Sequence, residues 1–337
     1  MSGHEMTRRG FVGDGARVAA GVVAGAVGVQ RLARAEQTTP LTTANILNYN
    51  ENMEYRRQGS TELMFSAVCL GGHSRSNVQQ RTEIISRCID AGINYVDSCS
   101  NGEVVRDAKA LKGRRDKMYL ACSHCGHEVR NENYRTAKKL LEALDETLLA
   151  ANLDHTDLWR ITCFEPGGRH SFNTSCEIVE ALQKAKEQGK ARFVGFSSHD
   201  RRWIKFMIEY FPAIDVVCFP FTTMSKRAPK DSLFAALKKC DVGAFGIKPF
   251  GAGSLFRDNR EKDNQRARLA LRYILLTNTV IPIPGMNSLE QVDNVIKAVK
   301  ERRTLDVRQR AELQRAGNRM WAQLAPNYRW LRNWEYV

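Results

Sequence analysis

The stretch GINYVDSCSNGE, residues 92–103, decides the fold class. A helical pattern that carries Ile84, Ile85 and Cys88 on one face stops at Gly92, and residues 93–96 form a short apolar run typical of a buried strand. Asp97 follows that strand directly. Barrel enzymes place catalytic groups at the C-terminal ends of their strands. The stretch therefore predicts an α/β protein whose site lies at strand ends.

The same order of strand and amphipathic helix repeats along the chain from residue 53. A parallel sheet closed into a (β/α)8 TIM barrel is the predicted fold. A doubly wound open sheet is the alternative, but it requires G-x-G-x-x-G after the first strand, whereas the chain has CLGGHSRS at 69–76. The eight candidate strands are residues 66–71, 93–97, 118–122, 157–162, 191–197, 215–219, 242–248 and 280–284.

Segments at both ends of the barrel extend this organisation. Residues 54–66 have the pattern of a hairpin that closes the barrel floor. The chain after residue 304 predicts one more helix and the aromatic tail APNYRWLRNWEYV, which packs either on the outer helices or over the mouth. The predicted parts are an export signal (1–35), a linker (36–52), the barrel (53–304) and the C-terminal helix with its tail (305–337).

Residues 1–35 have the three parts of a twin-arginine export signal. Arg8 and Arg9 form a basic pair, residues 18–29 are uncharged and moderately apolar, and residues 33–35 read Ala-Arg-Ala, an A-x-A cleavage site. The prediction is a periplasmic or otherwise exported protein that meets the membrane only through this signal. The alternative is a disordered basic tail.

Charge and cysteine content narrow the function classes. The formal net charge is +14, but the basic residues are mixed with acidic ones on helical faces. Binding of single-stranded nucleic acid needs basic residues interleaved with aromatic ones, and the sequence has no such motif. We therefore expect a small-molecule partner and no nucleic acid. The nine cysteines lack paired C-x-x-C repeats, so the sequence alone does not pair them.

Residues 53–304 resemble the aldo-keto reductases. The resemblance rests on the order and spacing of EYRRQGSTEL (54–63), LGG (70–72), GINYVDS (92–98), LDHTDLWRIT (153–162), GKARFVGFSSHD (189–200), GIKPFGAGSL (246–255) and VIPIPGMNSLEQVDNV (280–295). It implies a (β/α)8 barrel that moves a hydride between NADP(H) and a carbonyl compound.

The resemblance also implies four catalytic residues, of which one is retained. Asp97 matches the family's aspartate. The family's acid, a tyrosine, is missing: the loop is one residue shorter and Asn101 stands before the glycine. Ser123 stands at the position of the lysine that lowers the tyrosine pKa, and Thr162 at that of the histidine. Without a replacement acid, we expect carbonyl reduction to slow by roughly 10²–10⁴-fold.

Histidines after the strands offer a replacement, since histidine acts as an acid near neutral pH. His73, His124, His127 and His199 all follow predicted strands. We expect His124 to be the acid because it directly follows the lost lysine's position. The alternative for each is a hydrogen bond within its loop.

A metal site is a further alternative in this loop. Cys122 and Cys125 flank His124 in the stretch CSHCGH, and thiolates and imidazoles bind soft metals. Their spacing matches no standard zinc pattern, and Cys122 belongs to the strand. The prediction is that the site contains no metal.

The phosphate end of a dinucleotide site is recognisable. Ser288 and Gln291 form a capping-box pattern, so a helix begins after the eighth strand and its free N–H groups can hold a phosphate. Gly251 and Gly253 lack side chains and permit close approach of a pyrophosphate. Ordinary turn geometry is the alternative explanation for these glycines.

The nicotinamide end matches the family less well. Ser197 and Ser198 stand at the family's Ser-Asn pair, and Cys218 replaces its glutamine. Phe221 replaces the tyrosine that stacks on the nicotinamide, and its ring can still stack. NADP(H) is the cofactor that the resemblance implies.

These observations lead to one preferred function and two alternatives. The preferred one is an oxidoreductase of the aldo-keto reductase type with a diverged active site, acting on a carbonyl or a sugar-like hydroxyl. The first alternative is a barrel lyase or hydrolase that uses Asp97 and His124. The second is a non-catalytic binding protein that keeps the pocket.

Overall fold

The computed structural model describes residues 43–163, 170–225, 233–301 and 304–336. The predicted export signal lies outside these residues. None of the helices within the described ranges has the length and apolar character needed to cross a membrane.

A parallel seven-stranded sheet in strict chain order forms the barrel wall. An antiparallel hairpin precedes it. The hairpin strands are β1 (Tyr55–Arg57) and β2 (Met64–Ser66), and the wall strands are β3 (Tyr95–Asp97), β4 (Tyr119–Cys122), β5 (Thr156–Thr162), β6 (Ala191–Ser197), β7 (Val216–Pro220), β8 (Gly243–Ile247) and β9 (Ile281–Pro282).

The segment 67–71 closes the sheet into a barrel. Leu70 bridges Val96 of β3, and Gly71 bridges Gly285 beyond β9, both in parallel orientation. The predicted first strand is therefore confirmed in place, although its pairing is limited to bridges. One reason is that Pro282 and Pro284 on the β9 side have no N–H to donate to a ladder. The predicted (β/α)8 barrel is confirmed.

Helices cover the outside of the wall, and most begin at a residue whose side chain accepts a backbone N–H. These N-caps are Asn77, Ser100, Thr136, Ser171, Asp200, Asn259, Ser288 and Asp306. The helices are α1 (Val78–Asp90), α2 (Asn101–Ala110), α3 (Ala137–Ala151), α4 (Phe172–Glu187), α5 (Arg201–Tyr210), α6 (Leu233–Lys239), α7 (Arg260–Leu275), α8 (Leu289–Lys300) and α9 (Val307–Ala322). Short 3₁₀ turns cover Thr43–Asn45, Gly59–Thr61, Arg115–Lys117, Glu132–Tyr134 and Pro326–Tyr336.

The hairpin closes the N-terminal end of the barrel, as predicted. Phe65 is 3 % exposed and its ring lies 5.2 Å from that of Tyr95 and 5.5 Å from that of Phe245. The side chain of Gln58 accepts the Ala244 N–H at 2.8 Å. Because the floor is filled with packed side chains, any ligand must enter from the opposite end.

The C-terminal helix and tail pack on the outside of the barrel and also reach the loop after β8. Leu331 is fully buried in a cluster with Leu269 of α7 and Leu255 of that loop. Met320 of α9 packs so closely on Gly251 that a Cβ there would lie 2.5 Å from the Met320 sulfur. The tail thus packs against an outer helix, as one of the two predicted placements has it, while α9 covers Gly251 of one mouth loop.

Candidate functional site

A polar layer lies on top of the apolar barrel interior, at the C-terminal ends of the strands. The interior is filled by Tyr95, Leu158 and Phe245 among others. Side chains two residues apart on a strand face the same side. The residues two positions beyond Tyr95 and Leu158 are Asp97 and Arg160, both buried. The alternation that packs the interior therefore also aims a carboxylate and a guanidinium into the mouth.

Asp97 and Arg160 form a bidentate ion pair inside the barrel. Arg160 Nε donates to Asp97 Oδ1 at 3.1 Å and Nη2 donates to Oδ2 at 2.9 Å. The Tyr95 hydroxyl donates to Asp97 Oδ1 at 3.2 Å. Burial raises the pKa of Asp97, and the charge and hydrogen bonds of Arg160 oppose this rise. Arg160 is thus the cation that faces Asp97 in the barrel mouth.

Glu128 connects the two substituted positions, Ser123 and Thr162. The Ser123 hydroxyl donates to Glu128 Oε2 at 3.0 Å and lies 2.6 Å from the Thr162 hydroxyl. The Thr162 N–H donates to the same oxygen at 2.7 Å, and the His124 N–H donates to Oε1 at 2.8 Å. The structure therefore brings Ser123 and Thr162 together around a buried carboxyl group.

The acidity of Glu128 suits proton transfer near neutral pH. Burial raises its pKa to about 7, the nearby Cys125 adds to the rise, and the two backbone N–H donors oppose it. Tyr95 is a poorer acid, because burial raises its pKa well above the ordinary value. Catalytic acids work best with a pKa close to the working pH. Among the residues of this layer, Glu128 has the acidity that the missing tyrosine would have to supply.

His124 does not join this layer. Its ring stacks on that of His127 at a centroid distance of 4.1 Å, and His127 stacks on Tyr134 at 4.7 Å. The ring also borders a small cavity lined by Leu140 and Leu144 of α3, which Ser123 and Glu128 border as well. His124 lies two residues beyond Cys122, which faces the core outside the wall, so strand alternation directs its side chain outward too. Burial lowers the pKa of His124, which further weakens it as an acid at neutral pH.

The remaining loop candidates are dispersed. His73 is exposed. His199 is buried, with Nε2 3.4 Å from Lys248 Nζ. Asn101 opens α2, and its buried Oδ1 has no hydrogen-bond partner among the described residues. Cys122 is 1 % exposed and belongs to the core outside the wall. Within the described ranges, no set of three or more His, Cys, Asp or Glu side chains is arranged to hold a metal ion.

At the predicted phosphate end, one glycine is open and the other is covered. Gly253 has a φ of +85°, and no part of the described chain lies within 4 Å of the point where a Cβ would stand, so a ligand can approach it. Gly251 has a φ of +56° and is covered by Met320. Met320 of α9 thus occupies the space in which a Gly251 side chain would lie, and a role of Gly251 beside a pyrophosphate stays a prediction.

The helix start after β9 is formed as predicted, with one difference. Gln291 N donates to Ser288 Oγ at 3.3 Å, which makes Ser288 the N-cap of α8. The Gln291 side chain accepts the N–H of Asn287 at 2.7 Å rather than that of Ser288. The reciprocal capping box is thus shifted by one residue, while the N-terminus of α8 stays available to an anion.

At the nicotinamide end, the expected residues are present but enclosed. Ser197 ends β6, and Ser198 follows it with its hydroxyl accepting the Asp200 N–H at 3.1 Å. Phe221 is 1 % exposed and makes an edge contact with Phe234 at 6.0 Å. Stacking of Phe221 on a nicotinamide stays a prediction.

Two residues of the site, Arg160 and Glu128, were not among the sequence candidates. Arg160 had a signal: a lone arginine in the apolar strand of LDHTDLWRIT needs a buried partner. Glu128 lies in the histidine-rich loop after β4, where the sequence alone favours the neighbouring histidines as candidates. Arg160 and Glu128 both bind partners on other strands or loops, so those partners depend on how the strands are aligned.

Comparisons with known proteins agree with this architecture. Residues 66–268 match the model of the Aldo/keto reductase family. L-galactose dehydrogenase of Arabidopsis thaliana is 23 % identical over 295 residues, covering 76 % of this chain and 91 % of its own. L-glyceraldehyde 3-phosphate reductase of Escherichia coli K12 is 24 % identical over 278 residues, covering 75 % and 78 %.

Solved structures show the same fold. The holo form of an aldo-keto reductase from Bacillus halodurans superposes with a TM-score of 0.64 at 21 % identity, covering 82 % of this chain and 99 % of its own. An aldo/keto reductase from Klebsiella pneumoniae in complex with NADP and acetate gives 0.59 at 19 % identity, with coverages of 77 % and 94 %. Because the family model spans more than half of the chain, this barrel with its altered rim belongs to the aldo/keto reductase family.

Proposed function

We propose that this aldo/keto reductase-type oxidoreductase uses NADP(H) on a small carbonyl compound or sugar-like hydroxyl, with Glu128 as its acid. The observation that carries the proposal is the Glu128–Ser123–Thr162 network, which occupies the positions of the family's lysine and histidine. Thr162 lies two residues beyond Arg160 on β5, so its side chain faces the same mouth as Asp97.

Carbonyl reduction needs a proton donor and a charge that stabilises the developing oxyanion. A bound nicotinamide cofactor would supply the hydride. Glu128, with a pKa of about 7, is partly protonated at neutral pH. The Ser123 hydroxyl lies 3.0 Å from Glu128 Oε2, and the Thr162 hydroxyl lies 2.6 Å from that of Ser123. The two hydroxyls offer a path for the proton. Arg160 places a permanent positive charge in the same mouth.

The phosphate end of the cofactor fits the residues present. Gly253 leaves open space, and the N-terminus of α8 at Ser288 offers free N–H groups. Ser197, Ser198 and Phe221 would lie nearest the nicotinamide by the family's pattern. The complex of a structural neighbour with NADP supports this cofactor, and the sugar-related names of two relatives support a small polyol or aldehyde substrate.

The test is NADPH oxidation with a panel of small aldehydes and aldoses, comparing the unaltered protein with Glu128→Gln and His124→Ala. We expect Glu128→Gln to reduce kcat by roughly 10²–10⁴-fold and His124→Ala to leave it within about threefold. The His124 variant is a matched control because it keeps the backbone N–H that Glu128 accepts. The reverse pattern would return the acid role to the histidine.

Cofactor binding is measured separately by titration calorimetry with NADPH and with NADH. Binding without turnover on any substrate would favour the non-catalytic alternative. Absence of heat with both nucleotides would reject the cofactor part of the proposal.

We also propose that residues 1–35 direct export through the twin-arginine route. The support is the Arg8-Arg9 pair, the uncharged run and the Ala-Arg-Ala site. Changing Arg8 and Arg9 to lysine should retain the protein in the cytoplasm. Unchanged export of that variant would contradict the proposal.

A further inference from the structure

Two cysteines from neighbouring loops meet at the barrel mouth. Cys99 follows β3 and Cys125 follows β4, and these strands are paired in parallel. The Cys125 N–H donates to the Cys99 carbonyl at 3.4 Å. Standard bond lengths then hold the two Cα atoms within about 7 Å, and disulfides span roughly 4.4–6.8 Å.

The two thiols have different surroundings. Cys125 is partly exposed, and its sulfur lies 3.5 Å from the Thr162 hydroxyl. Cys99 is 7 % exposed, and its thiol donates to Glu103 Oε2 at 3.0 Å. Cys125 is therefore the sulfur that a reagent can reach, and Cys99 is the one with a carboxylate ready to take its proton.

Neighbouring groups also shift the pKa values of the two thiols in opposite directions. Interaction with the Cys99 side chain lowers the pKa of Cys125 to about 5, with the Thr162 hydroxyl, Arg160 and Arg130 contributing. The same interaction, together with burial and the charge of Glu103, raises the pKa of Cys99. A thiolate that can attack thus lies beside a protonated thiol that can resolve.

We propose that Cys99 and Cys125 form a reversible disulfide at the barrel mouth by exchange with a low-molecular-weight disulfide. The Cys125 thiolate attacks one sulfur of the reagent RS–SR, forms the mixed disulfide and expels RS⁻. Cys99 then attacks the Cys125 sulfur, expels the second RS⁻ and passes its proton to Glu103. The protein loses two electrons, the Cys99 proton stays on Glu103 until it is released to solvent, and the reagent leaves as two RS⁻ that take up protons from water to give two RSH.

The partner of Cys125 is set by the fold and not by the nearest motif. Cys122 and Cys125 form a C-x-x-C sequence, which would pair them in many redox proteins. Cys122, however, belongs to the outer core and is 1 % exposed, and burial raises its pKa to about 12. The cross-link between residues 99 and 125 joins the loop after Asp97 to the loop that carries Ser123 and Glu128, so oxidation restrains two neighbouring loops on the β3–β5 side of the mouth.

The experiment uses the full chain, fully reduced and then exposed to oxidised glutathione, followed by peptide mapping under alkylating conditions. We expect one cross-linked peptide pair joining Cys99 and Cys125, and complete reversal by dithiothreitol. A Cys122–Cys125 cross-link, or no cross-link at a redox potential that oxidises simple dithiols, would overturn the proposal. This readout needs no enzymatic activity, so it is independent of the proposed function.

Variants test the order of attack. Cys99→Ser should trap glutathione on Cys125, whereas Cys125→Ser should leave residue 99 unmodified. Cys176→Ser and Cys240→Ser are matched controls, because both positions are partly buried like Cys125, and they should not change the cross-link. Glutathione found on Cys99 in the Cys125→Ser protein would contradict the assigned roles.

The pH dependence of alkylation gives a third readout in the unaltered protein. A thiolate of low pKa gains population and loses nucleophilicity, so its rate advantage is small but its pH profile is distinctive. We expect the iodoacetamide rate at Cys125 to change less than about threefold between about pH 6 and 8, while an ordinary thiol gains roughly tenfold per unit. A steep profile at Cys125 would argue against an attacking thiolate.

Discussion

The two sides of the barrel mouth are built in different ways. On the side of β3, β4 and β5, buried side chains carry the polar groups: the Asp97–Arg160 ion pair, and Glu128 with its hydrogen bonds from Ser123 and Thr162. On the side of β8 and β9, the structure offers backbone features: an open glycine and a capped helix start. The contrast is between a site made of side-chain chemistry and one made of main-chain geometry.

Binding a phosphate and donating a proton place different requirements on the residues of a site. A phosphate bound by backbone N–H groups depends on chain geometry and tolerates changes in side chains nearby. A proton donor depends on one side chain in one position, and its loss must be offset by another group of suitable pKa. The predictions below disturb each side in turn and compare the effects.

Removing the positive charge of Arg160 on β5 should cause the largest loss of stability. Arg160→Leu leaves the Asp97 carboxylate buried without its partner, and we expect it to lower the free energy of unfolding by about 3–5 kcal/mol. Urea denaturation measures this loss. The double variant with Asp97→Leu should recover much of it, since two apolar side chains replace the pair.

An exposed ion pair provides the control for Arg160. Arg87 and Asp293 pair at 2.7 Å on the surface, with 42 % and 54 % of their side chains exposed. Arg87→Leu should cost less than about 1 kcal/mol. If Arg160→Leu proves equally mild, the Asp97–Arg160 pair does not hold the mouth together as the geometry indicates.

Glu128 makes stability depend on pH on the same side of the mouth. Its pKa is 4.5 in an unperturbed chain and about 7 in the fold. Between these values the folded state holds a proton that the unfolded state has released, so the free energy of unfolding falls as pH rises. The slope is about 1.4 kcal/mol per pH unit, and the total is ~3 kcal/mol.

Unfolding curves between about pH 5 and 8 check this dependence. The Glu128→Gln protein should lose this component of the slope, whereas Glu187→Gln, at an exposed position of α4, should keep it. An unchanged slope in Glu128→Gln would mean that the carboxyl group is ionised throughout the range.

The two glycines after β8 should respond unequally to alanine. Both have positive φ, which costs alanine about 1–2 kcal/mol. At Gly251 the new methyl group would also meet Met320 at 2.5 Å, whereas at Gly253 no part of the described chain lies within 4 Å. We expect Gly251→Ala to destabilise by about 1 kcal/mol or more beyond Gly253→Ala. In a Met320→Ala background, the extra destabilisation by Gly251→Ala should disappear. If it persists, contact with Met320 is not its cause.

The sequence predicted the features that depend on local residue patterns, and it missed the contacts that depend on how the strands are aligned with one another. Strand positions followed from apolar runs. Asp97 was found as a carboxylate at a strand end, and Ser123 and Thr162 by the positions that the family resemblance gives them. Arg160 and Glu128 were missed because their partners come from other strands or loops and are known only once the strands are aligned. His124 was chosen because it follows Ser123 in sequence, but strand alternation turns neighbouring side chains to opposite faces of the wall. The cover over Gly251 comes from α9, which is distant in sequence.

The smallest expected change in stability is on the side of β8 and β9, and it tests whether the start of α8 binds a ligand. Ser288→Ala removes the N-cap of α8 and should lower the free energy of unfolding by about 1 kcal/mol. Asp306→Ala removes the N-cap of α9 and should cost a similar amount. If the start of α8 holds a phosphate, only Ser288→Ala should also weaken NADPH binding, by roughly two- to fivefold as the helix start loosens. Titration calorimetry on both variants separates a general loss of helix stability from a local loss of binding. Equal affinity of the two variants for NADPH would show that the phosphate lies elsewhere on the mouth.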